Sequence, residues 1–407
     1  MKEPTKFTLV SFLAGSPTDG GAYTHKLGTL RVLHRLQQEE GIRVVVVCDA
    51  GSVATIVREH GLEAVVQQRG FWARLCGRLS ATEIAKVHFG ASYGPRLSPV
   101  DGLVRRLGAD LVLFCGPDPR ALQLYSCGYV FTVLDLAHLE YPQFPEVSLH
   151  GEFERRERLF RHALPKAVAV LADSEAGRRL VATHYAVPMA RTFAAPFLMG
   201  SSVRDFVADP AIAAAVRSRY GLADSYIFYP AQFWAHKNHR YIIAALAIMK
   251  KKLGWAPQAV FCGSDKGALE SVLGHAQHAG MAEHVKYCGF VPAEDIPYLY
   301  VGALALVMPT YFGPTNIPPL EALSLGTAVC YSDLPAFREH LGDAVTYIDL
   351  ERPESLAAAL QNLHASSRGD QTRNPVRNVD TDDAYLAVLR RVIHGFRLTT
   401  GSLPIVT

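Results

Sequence analysis

No stretch of this chain approaches the ~20 uninterrupted apolar residues that a membrane-spanning helix requires. Its opening, MKEPTKFTLVSFLAGS, holds too short an apolar run for a signal peptide and reads as a first strand. Charge is also scarce: charged residues make up 19% and the net charge is +3. That is too little to suggest nucleic acid, and no aromatic-plus-basic recognition motif appears. The seven cysteines lack CxxC or metal-ligand spacing. Cys48, Cys115, Cys262 and Cys330 fall in apolar runs, where a free thiol serves as a small core residue, and a reducing cytoplasm fits that usage. A full GxGxxG is missing, so a dinucleotide fingerprint is not supported. Acidic DxD pairs are absent from convincing loop positions, and no metal site is implied. A soluble or peripheral protein is expected.

At 407 residues, 49% of them hydrophobic, the chain is too long for one ordinary core, and two domains of about 200 residues each are expected. Apolar runs at 7–13, 43–48, 111–115, 130–134, 167–172 and 191–195 read as strands covered on both faces. The rhythm returns at 226–231, 259–262, 285–287, 304–308, 328–331 and 345–348. Helical stretches intervene, notably 23–38, 153–164 and 239–251. Such alternation argues for an α/β fold of two doubly wound parallel sheets. The join lies near 196–209, which gives domains at 1–198 and 199–382. The stretch 366–382 is polar and breaker-rich and reads as a loop, and 383–396 reads as a final amphipathic helix.

The most informative stretch is 309–333, PTYFGPTNIPPLEALSLGTAVCYSD. A strand ends, a Gly/Pro/Thr/Asn loop follows, a helix opens at Pro318 and Pro319, and a second strand begins after Gly326. The loop therefore lies at the carboxyl end of a strand, where open parallel sheets bind ligands. Proline early in a helix gives up no hydrogen bond the helix needs, and the helix start near Ile317 and Pro318 suits a phosphate. Glu321, within about the first turn, is placed to accept hydrogen bonds from a ribose diol. The layout suits a nucleotide diphosphate. The second signal is YPAQFWAHKNHRYIIAAL at 229–246. Its loop carries Gln232, His236, Lys237 and Asn238 ahead of a helix starting near His239. Lysine at such a turn can set a point charge on a diphosphate; the plainer alternative is a solvated surface lysine.

These residues resemble the signature of retaining nucleotide-sugar glycosyltransferases of the GT-B type, family 4. That signature runs glutamate, seven residues, a second glutamate, then a small-residue helix and a GT-x-V strand. Glu321 matches the second glutamate and LGTAV at 325–329 the tail, while Gly313 stands at the first glutamate. In the family that first carboxylate holds hydroxyls of the donor sugar. Lys237 matches the lysine of the family's R…K pair with KN preserved, and Gln232 stands where arginine is usual. The resemblance runs over most of the chain and is most specific between about 226 and 345.

Other segments carry weaker signals. Gly20 and Gly21 follow the first strand; spacing alone leaves a simple turn and a functional loop equally open. The resemblance sets them against the donor phosphate and sugar. FTVLDLAHLEYPQFPE at 131–146 looks like the family's HD segment, with Asp135 and His138 facing sugar and acceptor, and a structural histidine as the equal alternative. Ser174 reads as a helix N-cap, with a cleft role for Glu175 the minority reading. Gly263 allows close backbone approach, by the base in this reading. The stretch 69–86, RGFWARLCGRLSATEIAK, is a cationic amphipathic helix, either an ordinary domain helix or a contact with an anionic membrane surface. Arg155, Arg156, Arg158 and Arg161 read first as a solvated helix face and second as membrane contact.

The resemblance implies two Rossmann-like domains facing a cleft, nucleotide on the C-terminal one and acceptor mainly on the N-terminal one. The final helix and tail, 383–407, would pack back on the N-terminal domain. It implies transfer of a hexose from a nucleotide-diphosphate sugar to a glycan or lipid-linked oligosaccharide, with retention, for bacterial O-antigen or capsule. The setting is the cytoplasm or the cytoplasmic face of the inner membrane. Neither metal nor other cofactor is expected, and nucleic acid is not a partner. Lys237 and the helix amides would take up charge on the leaving diphosphate. With Gly313 in place of a carboxylate, Thr315 and Asn316 would hold the sugar, which fits a deoxy or otherwise altered hexose. Two rivals stand: a non-catalytic GT-B partner that binds nucleotide sugar, for which Gly313 and Gln232 speak, and a nucleotide-sugar epimerase.

Overall fold

A computed structural model describes residues 6–16, 20–67, 98–313, 316–367 and 380–401. Contacts group the chain into two units. The first comprises Met1–Leu136, Gly151–Leu198 and Thr381–Thr407, the second Ala137–His150 and Met199–Asp380.

The first unit is built on β1 (Thr8–Leu13), β2 (Arg43–Cys48), β3 (Glu63–Val66), β4 (Leu111–Phe114), β5 (Gly128–Val133), β6 (Ala169–Ala172) and β7 (Thr192–Ala194). The order is β3-β2-β1-β4-β5-β6-β7, with every pairing parallel. Valines 44 to 47 of β2 are wholly buried, as expected of a strand covered on both faces. The Gly21–Glu40 helix stops at Gly41, whose left-handed φ of 63° suits glycine. Ser174 caps Glu175–Tyr185 by accepting the Gly177 N–H at 3.0 Å, while Glu175 pairs with Arg178 at the surface. The Thr381–Gly401 helix adds Tyr385, Leu386, Leu389 and Ile393 to this core, and Asp382 takes a two-pronged bond from Arg31 at 3.1 Å.

The second unit contains β8 (Tyr226–Pro230), β9 (Gln258–Cys262), β10 (Val285–Tyr287), β11 (Ala305–Met308), β12 (Val329–Ser332) and β13 (Thr346–Ile348). They form a parallel sheet in the order β10-β9-β8-β11-β12-β13. In each sheet the order reverses once, between β1 and β4 and between β8 and β11. Such reversals part the loops leaving the two neighbouring strands and open a crevice there.

Two findings differ from the sequence reading. Strand β3 was not expected: four residues long, at the sheet edge and only partly buried, it gives an apolar run of just three residues, 64–66. The stretch 137–150, assigned above to the first domain, groups with the second unit. Its Ala137 and Val147 pack with Phe312, flanked by Tyr141, Phe144 and Tyr311. The 69–86 amphipathic helix lies outside the described residues, as does most of the 366–382 loop. Arg155, Arg156 and Arg161 pair with Glu152, Asp135 and Glu157. Among the described residues no helix is long and apolar enough to cross a membrane.

Candidate functional site

In the second unit the loops leaving β8 and β11 emerge side by side at the strand-order reversal. After β8 the chain makes one tight turn, Ala235–Lys237, and enters the His239–Leu253 helix through Asn238. Asn238 has φ 54°, a left-handed conformation that asparagine tolerates better than most residues. Its identity thus has a backbone reason that spacing did not reveal. The Tyr229 hydroxyl donates to the Lys237 carbonyl at 2.9 Å. The Lys237 ammonium reaches across to the next loop and donates to Asn316 Oδ1 at 3.1 Å. The Asn316 amide in turn donates to the Tyr331 hydroxyl at 2.7 Å and to the Gly313 carbonyl. Two residues 79 apart in sequence, each singled out for the donor, are therefore joined directly.

Gly313 has φ 95°. A Cβ built there would stand 2.9 Å from Asn316 Oδ1 and 3.1 Å from Nδ2. The Asn316 carboxamide thus fills the space into which a side chain at 313 would project. Thr315 lies outside the described residues.

Asn316 opens the Ile317–Ser324 helix. Of the four amides ahead of the first intrahelical bond, at 316 to 319, two belong to prolines and have no hydrogen. Pro318 therefore donates nothing to an anion, a correction to its expected role; the main-chain donors are Asn316 and Ile317. Glu321 also differs from expectation. Its Oε2 accepts the Tyr300 hydroxyl at 3.0 Å, and the carboxylate takes the Gly200 N–H as well. Only 9% of its surface is accessible. Burial pushes its carboxyl above the ordinary range, against the pull of Tyr300 and Gly200. A carboxylate accepts up to about four hydrogen bonds; Tyr300 and Gly200 account for two.

Gln232 Nε2 donates to the Ser264 hydroxyl at 3.2 Å and its Oε1 accepts from Trp234 at 2.9 Å. It ties the loops after β8 and β9 together. Gly263 has φ 136°, and a Cβ there would sit 2.6 Å from the Ala231 carbonyl oxygen. Its close approach is to the protein's own backbone, where a nucleotide base was expected.

His138 is wholly buried, at odds with the expected contact to sugar or acceptor. Asp135 and the glycines belong to the first unit. Asp135 Oδ1 accepts from Arg156 at 2.7 Å. Gly20, φ 66°, precedes the Gly21–Glu40 helix and accepts the Tyr23 and Thr24 amides, and Gly21 is exposed. Sequence reasoning missed Glu146. Its Oε1 accepts both the main-chain N–H of His236 at 2.9 Å and His236 Nδ1 at 2.5 Å. The pair is 90 residues apart in sequence; a glutamate in an otherwise apolar-aromatic turn was its one available sign. Among the described residues no group of three His, Cys, Asp or Glu is placed to hold a metal ion.

Residues 218–378 match the family model described as glycosyl transferases group 1. O-antigen chain mannosyltransferase B of Escherichia coli is 27% identical over 227 residues, which cover 55% of this chain and 58% of that relative. The match thus spans little more than half the relative's length. Among solved structures, Anabaena HepE in complex with UDP superposes with TM-score 0.65 at 16% identity, covering 98% of this chain and all of HepE. WaaG, a glycosyltransferase involved in lipopolysaccharide biosynthesis, gives TM-score 0.60 at 14% identity over 97% of this chain and all of WaaG. The two parallel-sheet, Rossmann-like units are those of the GT-B fold.

Proposed function

We propose that the protein is a glycosyltransferase that moves a hexose from a nucleotide-diphosphate donor to a hydroxyl of a glycan or lipid-linked oligosaccharide in O-antigen synthesis. The observation that carries this is the Lys237–Asn316 bond at the strand-order reversal. It sets an ammonium beside the start of a helix, two complementary features for a diphosphate. The family match over 218–378 and the mannosyltransferase relative support the same reading.

In this reading the bond between the anomeric carbon and the diphosphate oxygen breaks, and its electron pair leaves with the diphosphate. Lys237 and the amides of Asn316 and Ile317 take up that charge, which grows as the bond breaks and so favours the transition state over bound substrate. Glu321 receives the ribose diol on the acceptor capacity that Tyr300 and Gly200 leave. The acceptor hydroxyl attacks from the face the diphosphate leaves and passes its proton to a departing phosphate oxygen, which retains the anomeric configuration. No metal takes part. Transfer takes place in the cytoplasm or at the cytoplasmic face of the inner membrane. Asn316, in the space beside Gly313, has both amide hydrogens taken by Tyr331 and Gly313 and offers the sugar the remaining lone pair of its neutral Oδ1. That suits a deoxy or altered hexose, whereas the relative's name points to mannose.

The test is donor turnover. With mannosyl, glucosyl and deoxyhexosyl donors, wild type should transfer or hydrolyse one of them. Lys237→Ala should lose about 100-fold or more, the scale of one charge-stabilising group. A clear preference for a fully hydroxylated hexose would count against the altered-sugar reading. Equal rates at background in both proteins would favour the non-catalytic partner, which Gly313 and Gln232 keep in play. Interconversion of donors without acceptor would favour the epimerase.

A further inference from the structure

We propose that Glu146 is a positioning residue for Lys237, acting through His236; the proposal rests on the reading of Lys237 as the cation for the diphosphate. Glu146 sits in the single turn Pro145–Ser148. Its side chain is 6% exposed and that of His236 8%. A carboxylate so enclosed needs donors or a countercharge, and one residue supplies both bonds to Oε1, main-chain N–H and ring Nδ1. Despite desolvation, the His236 bonds hold the Glu146 carboxyl below its ordinary range.

His236 is fixed on its other sides too. Its ring lies flat on Phe312, centroids 3.8 Å apart and planes 18° from parallel. Its carbonyl accepts the Tyr311 N–H at 3.0 Å and the Thr310 hydroxyl at 3.4 Å. Three segments thus meet on the residue that precedes Lys237: the 137–150 stretch, the loop after β8 and the loop after β11. Lys237 inherits that placement. Its carbonyl is held by Tyr229 and its ammonium reaches Asn316 on the loop that carries Thr310 and Tyr311. Charged groups act through geometry, and a supporting residue that fixes the backbone beneath one changes what that charge can reach. Without Glu146, the His236 N–H and ring lose their acceptor and the turn Ala235–Lys237 loses its clamp on one side.

The test has one arm without ligand and one with it. In the first, the Lys237 ε-methylene signal, assigned with Lys237→Arg, is followed by NMR in wild type and Glu146→Ala. In the second, UDP and GDP are titrated, with uridine and guanosine as phosphate-free controls. Glu146→Ala should shift the Lys237 signal and weaken diphosphate binding at least tenfold, with nucleoside binding unchanged. Glu146→Gln, which keeps an acceptor oxygen for the His236 N–H, should recover most of the loss. Glu146→Ala with His236→Ala should bind no more weakly than Glu146→Ala alone, as expected of residues acting through one another. An unmoved Lys237 signal, wild-type diphosphate affinity, or equal loss of nucleoside and diphosphate overturns the proposal. If wild type binds neither diphosphate, the functional reading fails and the ligand-free arm alone decides the positioning role. If Glu146→Ala does not fold, Glu146→Asp, which draws the carboxylate back by one methylene, is judged by the same criteria.

Discussion

Glu321 is held where its charge is unwelcome, and that has a measurable cost. Its carboxyl is raised by burial, so the folded state favours the protonated form, and stability falls as pH climbs from the ordinary carboxylate value through the raised one. Glu321→Gln removes the charge and keeps an acceptor for Tyr300 and Gly200. We expect its melting temperature to rise about 2–4 °C at pH 7, the shift that about 1 kcal/mol gives a domain of this size. At pH 4 the gain should vanish, and nucleotide binding should be lost throughout. Such a trade between stability and activity is common at binding sites. His239 runs the other way. Burial, helped by the nearby Lys237 charge, pushes its imidazole down to about 3, and it stacks on Phe233 at 4.3 Å. The folded protein keeps it neutral while the unfolded chain gains a proton near pH 6.5, so the stability is whole above that value and drains away as pH falls toward 3. His239→Phe should flatten the acid slope of urea-unfolding free energies by about 1.4 kcal/mol per pH unit between pH 6 and 4.

At the level of elements, most strands were legible because a strand covered on both faces is an apolar run with little interruption. The run at 43–48 coincides with β2; 285–287 coincides with β10 although Lys286 interrupts it and the strand is only partly buried. Others shifted by a residue or two, as β12 did from 328–331 to Val329–Ser332, since burial does not mark where pairing stops. Strand β3 escaped because its apolar run, 64–66, is too short to stand out beside the polar residues that flank it. The site was half legible. Lys237 and Asn316 lie in loops that composition marks, yet their bond depends on two strands being neighbours at a reversal, which no local pattern encodes. Likewise the Tyr300 grip on Glu321 and the backbone packed against Gly263 are products of tertiary approach. The closing helix allows a direct test of packing. Leu389 is 2% exposed in the first unit's core, so Leu389→Ala should cost about 3 kcal/mol, read from urea denaturation.

For the whole molecule, each sheet has its own hydrophobic core, so calorimetry should resolve two unfolding transitions. Leu389→Ala should lower one of them, and a nucleoside diphosphate at about 100 times its dissociation constant should raise the other by the equivalent of about 2.7 kcal/mol. A single transition that responds to both changes would show that the units unfold together.

The Thr381–Gly401 helix also sets an order of assembly. A ribosome releases a chain in N-to-C order, and domains ordinarily fold in the order they emerge. Here the earlier-encoded unit lacks Tyr385, Leu386, Leu389 and Ile393 until the later-encoded unit has been synthesised. The later-encoded unit, complete by residue 380, has all its strands in hand first. Nascent chains stalled before the closing helix should therefore hold a finished second unit and an unfinished first one.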